Sequence, residues 1–307
     1  MTTQKPANFD AFWNDVDEDL AGIPLAPEIE QIPIRSNANA DLYGVRVTSV
    51  GPYRLFGYLS IPKGEGPFPA IYYTPKNGSV HEVIPQGTAT AIRKRYVTFS
   101  LAARGMRNSD KPYAAMFPGQ LTDGLESSDT YVYRGIAADT LRGMDYLVTR
   151  PEVDLNRIVA WGNDNALLAA ARRSSVTHVV STPAYLLDTI EHAIKTSSYP
   201  LAEFSDYLRL YPERKDGVIA TLEMYNLRWH AESIKAETLI KADYATGIYN
   251  PGVVEVLESG IAGNVTVHES EQSSSRDGLN GEKWLTANVI GPDAELIIPE
   301  HWENHPQ

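Results

Sequence analysis

Arg157-Ile158-Val159-Ala160-Trp161-Gly162-Asn163-Asp164-Asn165-Ala166-Leu167-Leu168-Ala169-Ala170-Ala171, residues 157–171, decides how this chain is read. Ile158 to Trp161 is a short continuous apolar run, the pattern of a strand buried on both faces. Gly162-Asn163-Asp164-Asn165 is a sharp polar turn. The Ala- and Leu-rich run behind it is a strong helix former. A buried strand that turns abruptly into a helix is a unit of a parallel α/β sheet.

The segments on either side extend this pattern. Phe9, Phe12, Trp13, Val16 and Leu20 recur at helical spacing, so 9–20 is an amphipathic helix. Leu42–Val50 and Tyr53–Ile61 alternate around Gly51-Pro52, which predicts an antiparallel hairpin. Ala70–Tyr73, Tyr96–Leu101, Thr177–Ser181, Thr238–Ala242 and Val265–His268 read as further strands, and Arg134–Thr149 and Val253–Glu258 as helices. Residues 106–130 are loop-like. Stretches within 185–232 (Tyr185–Ile194, Leu201–Leu210, Gly217–Tyr225) lose strand character and form a lid-like helical insertion. Residues 269–282 are the most loop-like stretch, and the tail over 274–307 has no clear pattern. The expected architecture is one α/β domain over 1–307, a mostly parallel sheet flanked by helices, with an N-terminal extension and a helical insertion.

Composition narrows the function. The chain has 307 residues and a net charge of −12, which argues against a nucleic-acid partner because phosphate binding needs a basic surface. There is no cysteine, which excludes disulfides, thiolate catalysis and cysteine-bound metal. No apolar run approaches a membrane span, and the polar start lacks a signal-peptide core, so the expected location is cytoplasmic.

Several motifs resemble carbohydrate esterase family 7, the acetyl xylan esterases and cephalosporin-C deacetylases. Asn8-Phe9-Asp10-Ala11-Phe12-Trp13 is similar to that family's opening helix, and Tyr73-Thr74-Pro75-Lys76-Asn77-Gly78 stands where it has Tyr-His-Gly-Tyr-Asn-Gly. Arg104-Gly105 matches its Arg-Gly-Gln-Gly, and Asp129-Thr130-Tyr131-Val132-Tyr133-Arg134 resembles its Tyr-Tyr-Tyr-Arg segment. Arg150-Pro151-Glu152-Val153-Asp154 before Arg157-Ile158 is also similar, as is Tyr207-Leu208-Arg209 through Tyr211-Pro212-Glu213-Arg214. The resemblance, from about Phe9 to Glu271, implies an α/β-hydrolase fold and chemistry on O-acetylated small molecules. It also implies a homo-oligomer, with no cofactor and no metal.

The catalytic positions depart from that pattern. The family's elbow is Gly-Gly-Ser-Gln-Gly. A gap-free register from Arg157-Ile158 lays Gly162-Asn163-Asp164-Asn165-Ala166 on it, with Asp164 in the serine position. The same reasoning puts Thr246 at the acid position, with Asp243 a few residues too early, and Ser273 at the histidine position. The expectation is therefore a lost Ser-Asp-His triad.

Several readings of Asp164 stay open. As a general base beside the cation of Lys76, with the Asn165 backbone N–H on the anion, it would suit a lyase. The reaction would be elimination of acetate from an O-acetylated secondary-metabolite intermediate. As a nucleophile it would give an atypical acetyl esterase and would need a histidine-activated water; His268 is nearest in sequence, and His301 and His305 lie in the tail. As a turn and helix-cap residue it would carry no chemistry, and the chain would be an inactive binding or assembly protein. Tyr73, Arg104, Asn163, Thr246 and Ser273 are the expected substrate contacts. Lys76 can equally be a solvated turn residue and Arg104 a loop anchor, while His178, His192, Tyr131, Tyr133, Tyr207 and Tyr211 read first as packing.

Overall fold

The computed structural model describes residues 4–76, 89–106, 108–109, 117–245 and 251–299. The chain opens with α1 (Phe9–Ala21), then β1 (Glu28–Gln31), β2 (Ala40–Ser49), β3 (Tyr53–Pro62) and β4 (Phe68–Tyr73). Helix α2 (Ala89–Arg95), β5 (Val97–Ala102), α3 (Val132–Leu147), β6 (Val153–Gly162), α4 (Asp164–Arg172) and β7 (His178–Ser181) follow. Between β7 and β8 (Glu237–Ala242) lie α5 (Thr189–Ala193), α6 (Leu201–Leu210), α7 (Lys215–Glu223) and α8 (Leu227–His230). The chain then forms α9 (Pro251–Gly260), β9 (Val265–Glu269) and α10 (Ser274–Leu285).

Among the described residues nine strands join one sheet in the order β1-β2-β3-β5-β4-β6-β7-β8-β9. Strands β1 to β3 pair antiparallel and β3 meets β5 antiparallel; from β5 to β9 every pairing is parallel. The β2–β3 register closes on Ser49↔Tyr53, so the hairpin turn falls at 50–52 as its Gly-Pro pair predicts.

Strand alternation divides the core into two layers. Tyr72, Ile158, Ala160, Val179 and Ile240 face the larger one, which includes α1, α3 and α4. Ile71, Val159, Val180 and Leu239 face a smaller one completed by Tyr96, Trp284, Leu285 and Val289. Trp284 and Leu285 belong to α10, so the expectation that 269–282 is mainly loop is corrected. The polar run Ser273-Ser274-Ser275-Arg276-Asp277 that suggested a loop is a helix start: the Ser273 hydroxyl accepts the Arg276 N–H at 3.4 Å. Helix α1 is pinned by Trp13, whose Nε1–H donates to the Met224 carbonyl at 2.9 Å. Its ring packs edge-on against His230, 4.8 Å between centroids. Among the described residues no helix is long and apolar enough to cross a membrane.

Candidate functional site

The site expected from the sequence is the turn between β6 and α4. Gly162 ends the strand because any side chain would strike Thr74: a Cβ there would lie 2.2 Å from the Thr74 hydroxyl. Asn163 alone makes the turn, at φ −103° and ψ −138°, and α4 begins at Asp164. Among the described residues the non-glycine positions with positive φ are Ala26, Asn108, Asp188 and Gln272, so none lies in this turn. A catalytic elbow holds its nucleophile on a strained turn. No residue of this turn takes a left-handed backbone.

Asp164 has no exposed surface. Its carboxylate points at the backbone following β7 and accepts three consecutive N–H groups, from Ala184 at 3.0 Å, Tyr185 at 3.2 Å and Leu186 at 2.9 Å. Burial pushes its pKa up and these donors pull it down; burial prevails. The side chain therefore points into the protein and not toward a pocket mouth. The carboxylate is spent on the loop that leads into the helical insertion.

Asn165 is equally fixed. It is buried, its Nδ2 donates to the Pro75 carbonyl at 2.8 Å, and its Oδ1 accepts from the Tyr133 hydroxyl at 2.5 Å. The Tyr133 and Tyr185 hydroxyls lie 3.3 Å apart. Burial pushes both phenols up, helped by Tyr185 and Asp164 at Tyr133 and by Asp164 at Tyr185, where the Tyr133 hydrogen bond opposes it; both stay neutral. Around this group Lys76, Arg104, Gln120, Tyr133, Asn165 and Tyr185 line a void of only about 10 Å³. One water fills such a space.

Lys76 is exposed at the edge of that void. Arg104 is held on several sides. Its Nε and Nη2 donate to the two Asp139 oxygens at 2.9 and 2.8 Å, Nη2 also to the Val50 carbonyl at 2.8 Å, and its guanidinium lies 4.4 Å from the Tyr53 ring centre. Burial lowers its pKa, but the Asp139 carboxylate outweighs that and the net shift is upward. On the far side of Arg104 a polar cleft of about 260 Å³ opens, lined by Tyr53, Gln120, Asp123, Asp129 and Arg134.

The remaining expected contacts do not gather here. Tyr73 points to the opposite face of the sheet, where it packs on Trp161 with ring centres 6.2 Å apart. Burial and then Tyr96 and Glu282 raise its pKa. Adjacent strand residues point to opposite faces, so Tyr72 and Tyr73 cannot both reach the turn. Ser273 is the helix cap described above. Asn163 is half-buried, and its carbonyl accepts the Ser181 hydroxyl at 2.9 Å. Thr246, Asn77, His301 and His305 lie outside the described residues. His268 pairs with Asp277 across β9 and α10, Nε2 to Oδ1 at 2.8 Å.

The structure thus brings Lys76, Arg104 and Asn165 together and turns Asp164, Tyr73 and Ser273 away. Tyr133, which sequence reasoning assigned to packing, and Tyr185, which it did not single out, also line this void. The pattern Tyr131-Val132-Tyr133 at a helix start was the one available signal for the first; nothing local marks the second.

A family profile described as acetyl xylan esterase matches residues 1–256. Acetyl esterase Axe7A of Xylanibacter ruminicola is 21% identical over 315 residues, covering 98% of this chain and 64% of that protein. The chain therefore spans about two thirds of its curated relative's length. Two solved structures superpose closely. They are acetyl xylan esterase 1 from Thermoanaerobacterium sp. JW/SL YS485 (TM-score 0.82, 22% identity) and an acetyl xylan esterase from Paenibacillus sp. R4 (TM-score 0.81, 20% identity). Each comparison covers 94% of this chain and 96% of the other. The fold is the α/β-hydrolase fold, and the chain belongs to the acetyl xylan esterase family.

Proposed function

From that membership and the closed turn, we propose that this chain is a non-hydrolytic relative of the acetyl xylan esterases, whose elbow position has become a latch and whose scaffold serves binding. The observation that carries this reading is the Asp164 carboxylate, fully buried and occupied by the Ala184, Tyr185 and Leu186 N–H groups. A base or nucleophile has to reach the reacting atom. Turning Asp164 toward a substrate would strand three buried donors, each costing about 1–3 kcal/mol. The locked Asn165 side chain and the water-sized void beside it support the same conclusion.

Elimination of acetate with Asp164 as base and Lys76 as stabilising cation is the competing reading, and it requires the latch to open. In the register drawn from the family's motifs, Thr246 and Ser273 stand at the acid and histidine positions, in keeping with a triad no longer assembled. The cleft beside Arg104 is the larger space on this rim. Its lining of carboxylates, guanidinium groups and an amide suits a hydroxyl-rich molecule, such as the xylan in the names of the related esterases.

The test uses the intact chain with 4-nitrophenyl acetate and acetylated xylan, and a serine-directed phosphonate as a label. The expected result is no acetate release above buffer and no labelled serine, with xylo-oligosaccharide binding unchanged in Asp164→Asn. Acetate release abolished by Asp164→Asn at intact fold would restore the acid–base reading. Labelling of a serine would restore hydrolysis.

A further inference from the structure

The helical insertion holds a cavity of about 300 Å³ that the family's chemistry does not account for. Helices α5 and α7 face each other across it. Their facing residues, Ile190 and Ile194 against Ile219 and Leu222, recur at helical spacing and would ordinarily meet as a packed seam. Leu222 is buried and Ile190 packs on the core, yet all four border the cavity, and Ile194 is 63% exposed.

The base of the cavity is anionic. Asp188 and Glu223 both border it, and Asn226 Nδ2 lies between them, 2.9 Å from Asp188 Oδ1 and 3.3 Å from Glu223 Oε2. Arg228 pairs with Asp188, and Trp229 Nε1–H donates to Glu223 at 2.9 Å. Two carboxylates therefore share one guanidinium. At Glu223 burial pushes the pKa up, the Trp229 and Asn226 donors and the Arg228 charge pull it down, the Asp188 charge raises it, and the net shift is upward. Lys215 and Glu191 sit exposed at the mouth, with Glu191 paired to Lys195. Asp188 also holds a left-handed backbone, φ 46° and ψ 45°, which aspartate adopts more readily than most non-glycine residues.

We propose that this cavity binds a small organic ammonium, its hydrocarbon body between α5 and α7 and its charged nitrogen against Glu223 and Asp188. An apolar body satisfies the isoleucine and leucine walls, and a cation offsets the unshared carboxylate charge. An alcohol of the same length would gain only the first contact. A carboxylate would meet like charge. The site is independent of the turn after β6, so its failure leaves the non-hydrolytic reading untouched.

The experiment titrates the intact chain with n-hexylamine, hexan-1-ol and hexanoate at neutral pH, read by calorimetry and by ligand-observed NMR. Hexylammonium is expected to bind saturably and about tenfold tighter than hexanol, with hexanoate weakest. Glu223→Gln keeps an acceptor for Trp229 and is expected to erase the difference between amine and alcohol. Ile219→Trp fills the space and is expected to abolish both. Circular dichroism checks that each variant is folded, and the wild-type ranking stands as a test if one is not. Equal amine and alcohol affinity, hexanoate binding as tight as the amine, amine affinity indifferent to both variants, or no saturable amine binding would each overturn the proposal.

Discussion

The turn after β6 and the base of the insertion cavity are both built on buried carboxylates, and they behave as opposites. At the turn, Asp164 is met by three backbone donors, and the neighbouring amide and phenols leave a void of about 10 Å³. In the insertion, Asp188 and Glu223 share one guanidinium beside about 300 Å³ of space. A carboxylate saturated by its own backbone is part of the structure. One left short of countercharge beside a cavity is available to a ligand. Position in a recognisable motif did not separate these cases; the donors around each carboxylate did.

The strongest way to break the comparison is to remove the latch. Asp164→Ala leaves three buried N–H groups without an acceptor and is expected to lower stability by about 3–5 kcal/mol, measured by urea unfolding. Asp164→Asn keeps one acceptor oxygen and should fall well short of that. Alanine tolerated without loss of stability would show that the turn is not the structural element described here.

Acid should act on the two regions differently. His230, at the end of the insertion, is buried between Phe9 and Trp13, and burial, then Arg172 and Lys5, push its pKa down to about 3. Its folded pKa is below its unfolded one, so the unfolded chain takes up the proton first. The stability it contributes is full above pH 6.5 and is lost as pH falls toward 3, at about 1.4 kcal/mol per unit. Asp164 has the opposite sign: its pKa is raised, so the folded state binds the proton more readily and acid relieves the cost of burying its charge. Acid should therefore loosen α1 and the insertion before the turn. Unfolding from pH 7 to 4 measures the slope, and His230→Phe should flatten it. An unchanged slope in that variant would assign the acid response to other groups.

The smallest effect sharpens the account of the closed site. Tyr133→Phe removes the hydrogen bond to Asn165 but keeps the ring, and should cost about 1 kcal/mol. A gain in activity toward acetyl esters in that variant would mean that the phenol, rather than the latch, keeps the site shut.

Much of the fold was legible because burial on both faces of a parallel sheet writes continuous apolar runs. Ile158–Trp161 and Thr238–Ala242 are such runs, and the hairpin was marked by alternation around Gly51-Pro52. Ser273–Leu285 was misread because its first turn is serine-rich and its buried residues, Gly281, Glu282, Trp284 and Leu285, come only in its last turns. The arginine at 104 was legible as a loop anchor but not its partner, since Asp139 lies 35 residues away within α3.

The amino-acid sequence by itself determined the strand–turn–helix unit, the absence of serine from that turn and the family to which the chain belongs. These are properties of local pattern and of residue identity. Only the tertiary structure decided that Asp164 faces Ala184–Leu186, that Tyr73 faces away, and that residues of α5 and α7 border one cavity. The reason is that a side chain's chemistry depends on which donors and charges surround it, and those donors come from segments 20 or more residues distant whose approach no local pattern encodes.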